Sequence, residues 1–313
     1  WDISTASYVQ NFSVATEEID PQGLFFKPDG TKMYVVGSSG DDVNEYNLST
    51  AWDISTASYV QNFSVATEET RSTDIFFKPD GTKMYVIGRD GDAVYAYTLS
   101  SAWDISTASW DAPANSYFNV SAQEISPTGL FFKSDGTKMY VVGSSGDDVN
   151  EYNLSTAWDI STASYVQNFS VFAQENNPQG LFFKSDGTKM YVTGLDGQDV
   201  NEYNLSSAWD ISTASYVQNF SVAIQEISPR GLSFKSDGTK MYVIGNNKNS
   251  VYEYTLSSAW DISTASWDAP ANSYFNVSAQ EISPTGLFFK SDGTKMYVVG
   301  SSGDDVNEYN LST

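Results

Sequence analysis

The chain of 313 residues has no cysteine and no histidine. Disulfides, thiolate chemistry, histidine metal sites and histidine general bases are thereby excluded. Basic residues are also scarce, 16 Lys and Arg against 39 Asp and Glu, so the formal charge at pH 7 is −23. Such a surface repels phosphates and argues against nucleic acid as a partner. It suits surroundings in which salt screens the self-repulsion, and the expected location is extracellular, on a cell or virion surface. No apolar run is long enough for a membrane-spanning helix and no stretch has the form of a signal peptide, so membrane insertion is not expected. No segment keeps a 3.6-residue apolar period for three turns, which argues against helix throughout. The first residue is a Trp inside a repeat, and the chain reads as a processed product or a piece of a larger protein or assembly.

What the sequence does have is one sentence written six times. WDISTAS recurs with its Trp at Trp1, Trp52, Trp103, Trp158, Trp209 and Trp260. The period is 51 residues, stretched to 55 in the third copy and, allowing for the end of the chain, in the sixth. Repeats of roughly 40–50 residues with strand-like content are the mark of a β-propeller. The expected fold is all-β: a single domain over 1–313 with six blades of four antiparallel strands. One copy is too small to bury its own core, so neighbouring copies supply the rest.

Within the first full copy, QGLFFKP (22–28) reads as the innermost strand A. Asp29-Gly30 is a turn, because Gly adopts positive φ at no steric cost. KMYVVG (32–37) is strand B and DVNEYNL (42–48) is strand C. After the polar connection STAWDISTAS, YVQNFSVA (59–66) is the outer strand D. The chain begins with a D-type strand and ends with a C-type one. The ring is therefore expected to close by residues 8–14 pairing with 305–311, which removes exposed sheet edges.

The stretch FFKPDGTKMYVVGSSGDDVNEYNLST (25–50) resembles the YVTN-type propeller repeat, related to NHL and lactonase-type blades. The resemblance covers about half of each copy. It implies the propeller fold and a family that includes surface-layer proteins, sugar lactonases and binding propellers. Lactonase-like members hold a metal with Glu, Asn and Asp from different blades.

The copies differ mainly in two connections. The B–C loop reads SSGDD (38–42), RDGDA (89–93), LDGQD (195–199) and NNKNS (246–250). The D–A connection reads EEIDPQ (17–22), EETRST (68–73), QENNPQ (174–179) and QEISPR (225–230). Both should emerge on one face of the propeller, and loops that vary on a rigid scaffold are where ligands bind. The candidate binding residues are Arg71, Asp74, Arg89, Asp90, Asn176, Asn177, Asp196, Arg230, Asn246 and Asn247. Arg71 and Arg230 are expected to oppose each other across the channel mouth, clamping an anion or pairing with acidic neighbours. Copies three and six add WDAPANS at Trp110–Ser116 and Trp267–Ser273, read either as a rim bulge or as paired partner contacts.

Six glutamates recur in the D–A connection: Glu18, Glu69, Glu124, Glu175, Glu226 and Glu281. Pointing inward they would form a ring of oxygen ligands suited to Ca²⁺. Bare charges ~8 Å apart repel by about 2 kcal/mol per pair at a dielectric of about 20. The competing expectation is that each carboxylate accepts backbone N–H groups and fixes its turn. Near-identical blades disfavour catalysis, since acid, base and electrophile are different tasks. The leading expectation is thus a non-catalytic surface module binding a glycan or a surface protein, with no cofactor apart from the Ca²⁺ alternative. The alternatives are a metal-dependent lactonase-like hydrolase and an inert spacer.

Overall fold

A computed structural model describes residues 1–110, 117–267 and 274–312. The fold is a six-bladed β-propeller, each blade a sheet of antiparallel strands in the order A-B-C-D, with no α-helix among the described residues. By internal contacts the chain forms two compact units of three blades each. One comprises Thr16–Val171. The other comprises Trp1–Ala15 together with Phe172–Thr313.

The first blade shows the pattern. Strands Pro21–Phe26, Lys32–Gly37, Asp42–Leu48 and Ala57–Ser64 lie in sequence order across one sheet. Strand B is buried from Met33 to Gly37, because both of its faces are covered. Strand D is exposed at Ser58, Tyr59 and Val60 and then alternates half-buried and exposed residues from Gln61 to Ser64, as an outer strand with one wet face should. It stops at Ser64, since the Val65 N–H already bonds the Asp41 carbonyl in the B–C loop. The second blade starts at Ser72, the third at Pro127, the fourth at Pro178, the fifth at Pro229 and the sixth at Pro284.

Closure takes the expected form. Ser7–Ser13 pairs antiparallel with Asp305–Asn310, Tyr8 opposite Tyr309 and Phe12 opposite Val306. The N-terminal strand thus completes the sixth blade and leaves its strand C no open edge.

The invariance of STAWDISTAS has a packing cause. Asp53 caps a single 3₁₀ turn, Ile54–Thr56, by accepting from Ser55 N–H at 3.0 Å. Trp52 has φ +67°, a costly value for a bulky residue. Its N–H bonds the Gly30 carbonyl at 2.9 Å and its ring lies on Gly30 itself. One blade further on, Trp103 and Ile105 are buried in the core, and Tyr34 of the first blade donates its hydroxyl to the Trp103 carbonyl at 2.7 Å. Tyr85 to Trp158 and Tyr191 to Trp260 repeat that link at 2.6 Å. The core therefore sits between facing sheets, and this connection is a latch from one blade to the next.

Gly136 is required twice over: it has φ +73°, and a Cβ there would lie 2.3 Å from the Trp158 ring. Gly136→Ala should destabilise the protein by roughly 2–4 kcal/mol, combining left-handed backbone strain with overpacking. Denaturant midpoints of the variant and parent measure this; an unchanged midpoint would show that Trp158 can leave its seat freely.

Candidate functional site

Two loops meet on one side of every blade, and a glutamate joins them. Glu18, in the connection before the first blade, is 1% exposed. Its Oε1 accepts from Asp20 N–H at 2.8 Å and Ser39 N–H at 3.2 Å, and its Oε2 from Gly40 N–H at 3.0 Å. Burial pushes its carboxyl up while these N–H groups favour the charged form. Glu69, Glu124, Glu175, Glu226 and Glu281 repeat the three bonds in their own blades. These are clamps on the B–C loops. A carboxylate so engaged is a poor metal ligand, and among the described residues no group of three or more Asp or Glu side chains lies close enough to hold an ion. The six to eight oxygens that Ca²⁺ requires are not assembled by these glutamates.

The other candidates occupy these same clamped loops. In the second blade Arg71 approaches Asp90 at 3.6 Å, an exposed pair of small energetic weight. Asp90 also accepts from Thr70 Oγ1 at 2.8 Å, and Arg89 N–H bonds the Arg71 carbonyl. In the fourth blade Asn176 is exposed, Asn177 accepts from Gln179 at 2.8 Å, and Asp196 gives its N–H to Glu175. In the fifth, Asn247 gives its N–H to Glu226, and Asn246 lies beside it, half-buried. Arg230 is the second residue of the fifth inner strand, Pro229–Phe234. Burial lowers its guanidinium, Glu226 opposes that shift, and its Nε is buried without a hydrogen-bond partner among the described residues. Arg71 and Arg230 belong to different units.

One candidate departs from the repeat in kind. At the third position of strand A five blades carry glycine: Gly23, Gly129, Gly180, Gly231 and Gly286. Crowding explains it. A Cβ on Gly23 would lie 2.8 Å from Val36 Cγ2 and 3.3 Å from the Asp74 Cα of the next inner strand. The second blade has Asp74 in this place. Its Oδ1 accepts from Ile75 N–H at 2.8 Å. Burial pushes its carboxyl up to about 7, while the N–H groups of Ile75 and of Leu130, on the third blade's inner strand, favour the anion. The side chain is nevertheless not fully sealed, being half-buried. A carboxyl of this kind exists in both protonation states near neutrality, as proton transfer requires.

No protein-family model matches the sequence, and neither does any curated protein. Solved structures do match. A candidate 6-phosphogluconolactonase of Bacteroides uniformis superposes with TM-score 0.64 at 14% identity, over 93% of this chain and 80% of that one. The periplasmic gluconolactonase of Pseudomonas aeruginosa gives TM-score 0.57 at 16% identity, over 76% and 66%. A functionally unknown protein of Desulfotomaculum acetoxidans gives 0.62 at 12%, over 98% and 92%. At these identities the likeness establishes the fold. The lactonase names among these neighbours nonetheless correct the leading functional expectation of a non-catalytic surface module: the hydrolase alternative accords better with them.

Proposed function

We propose that the chain hydrolyses a small sugar lactone, with Asp74 as the proton-transfer group, and that its repeat is a YVTN-type variant of the lactonase-like blade. The observation that carries the reading is Asp74: an ionisable group on an innermost strand, at a position that is glycine in the five other blades, with a carboxyl held at about 7. The structural likeness to proteins named as lactonases supports the reaction class. It also answers the objection from symmetry, since one blade differs where a reaction needs a distinct group.

In this reading Asp74 accepts a proton from water as the water oxygen bonds to the lactone carbonyl carbon. The tetrahedral adduct then expels the ring oxygen, breaking the C–O ester bond, and the proton on Asp74 passes to that oxygen. The products are the open hydroxy acid and the starting enzyme. General base catalysis of this type contributes about 10²–10⁴-fold.

The test is the hydrolysis of glucono-δ-lactone, read above its spontaneous rate across pH. The expected rate rises with pH through an apparent pKa of about 7. A rate indistinguishable from buffer for this lactone and its 6-phosphate would end the proposal.

A further inference from the structure

The fifth blade carries a cavity of about 220 Å³ lined by Ile224, Gln225, Lys248, Tyr252, Trp267 and Tyr274. It lies where the outer strand is divided into Ala265–Ser266 and Tyr274–Asn276. Residues 268–273 of the WDAPANS segment, and 111–116 of its earlier copy, lie outside the described residues.

The second blade is a built-in control, because it has the same aromatic set. There Tyr95, Trp110 and Tyr117 close on one another: Trp110 stacks on Tyr117 at 6.4 Å with 9° between the planes, and lies 6.0 Å from Tyr95. In the fifth blade Tyr252 and Tyr274 still stack, at 6.1 Å and 25°. Trp267 packs against the buried cluster that contains Tyr252, and with Tyr252 and Tyr274 it lines the cavity. Its indole Nε1 is buried without a hydrogen-bond partner among the described residues.

The charges around the two aromatic sets also differ. Glu68, Arg89, Asp90, Gly91 and Asp92 of the second blade correspond to Gln225, Asn246, Asn247, Lys248 and Asn249 of the fifth. Three carboxylates and one guanidinium give way to a single ammonium, so the local sum moves from −2 to +1. Lys248 is exposed and has no carboxylate partner among the described residues. In a chain of formal charge −23 such a reversal is specific.

We infer that this cavity binds one ring of an acidic sugar. Its volume is that of about seven waters and falls below the range of drug-sized sites, so the occupant is small. The Trp267 face suits the apolar C–H face of a pyranose. The Gln225 amide supplies a donor for a ring hydroxyl, and Lys248 pairs with the carboxylate. The site belongs to the fifth blade, and it does not depend on the lactonase reading.

The experiment follows the Trp267 indole N–H resonance in the intact chain during titration with D-glucuronate, D-glucose and acetate. Glucuronate is expected to shift that resonance saturably and leave Trp110 unmoved. Glucose should bind about tenfold more weakly, the worth of one charge-assisted bond, and acetate should produce no shift. Lys248→Glu, an exposed change that keeps the fold, should remove the preference for glucuronate. Asp74→Asn should leave the titration unchanged, which separates this site from the proposed reaction. Absence of saturation with glucuronate, an equal response to acetate, or undiminished binding by Lys248→Glu would overturn the inference.

Discussion

Asp74→Asn is expected to slow lactone hydrolysis by about 10²–10⁴-fold and to stabilise the protein above neutral pH in the same step. The second effect follows from linkage. The Asp74 carboxyl sits at about 7 in the folded chain against an ordinary value of 3.8. The folded state therefore holds this proton more tightly than the unfolded state does. Its stabilising share is intact below pH 3.8 and is lost as pH rises through about 7. The loss amounts to roughly 4 kcal/mol, at about 1.4 kcal/mol for each of some three pH units. Asparagine does not titrate, so the stability of the variant should lose this pH dependence between 4 and 8. Asp74→Gly, which matches the five other blades, should behave likewise in both respects. Thermal melts at pH 5 and pH 8 beside rate measurements check both halves. Stability gained with activity kept would make Asp74 a site of strain with no catalytic part. Activity lost without the pH-dependent gain would contradict the burial that raises its carboxyl.

Removal of one loop clamp gives the second large effect. Glu124 is 1% exposed and accepts from Ser126, Ser145 and Gly146 N–H at 2.7, 3.2 and 2.9 Å. Glu124→Ala leaves these donors without their acceptor and opens a void beside Gly143. A loss on the order of 3–5 kcal/mol is expected, since orphaned buried donors cost about 1–3 kcal/mol each and do not add fully. Glu124→Gln keeps one acceptor oxygen but turns an N–H donor toward another, so it should fall between parent and Ala. Because the oxygens face backbone protons, Ca²⁺ and EDTA should leave the melting temperature of the parent unchanged. A Ca²⁺-dependent rise abolished by Glu124→Ala would instead make this carboxylate a ligand.

Blade count, strand order and closure were legible from residue types alone. The Asp-Gly turn, the β-branched run of strand B and the D-type start each specify a local geometry. Six near-identical copies can satisfy their edges only by stacking alike. The recurrence of Glu18 and its equivalents was also visible, but their direction was not. Ser39 and Gly40, which the Glu18 carboxylate holds, are brought to it by the B–C hairpin of its own blade. The constancy of WDISTAS follows from Trp52 lying on Gly30 and from Trp103 accepting the Tyr34 hydroxyl of the preceding blade.

Asp74 stood out in the sequence as one of several asymmetric residues. Its chemistry depends on the neighbouring inner strand that strips it of water, which no single repeat specifies. The cavity of the fifth blade was missed altogether. Its signal was present in the pairing of Tyr at 95 and 252 with the Trp of each insertion, where the other blades have Asn. Yet Trp110 and Trp267 have the same local sequence and different surroundings. Periodic patterning by itself determined the blades, because alternation and turn chemistry act over a few residues. Burial, orphaned donors and a displaced carboxyl pKa depend on which groups of distant residues exclude water from one another, and that was decided only by the tertiary structure.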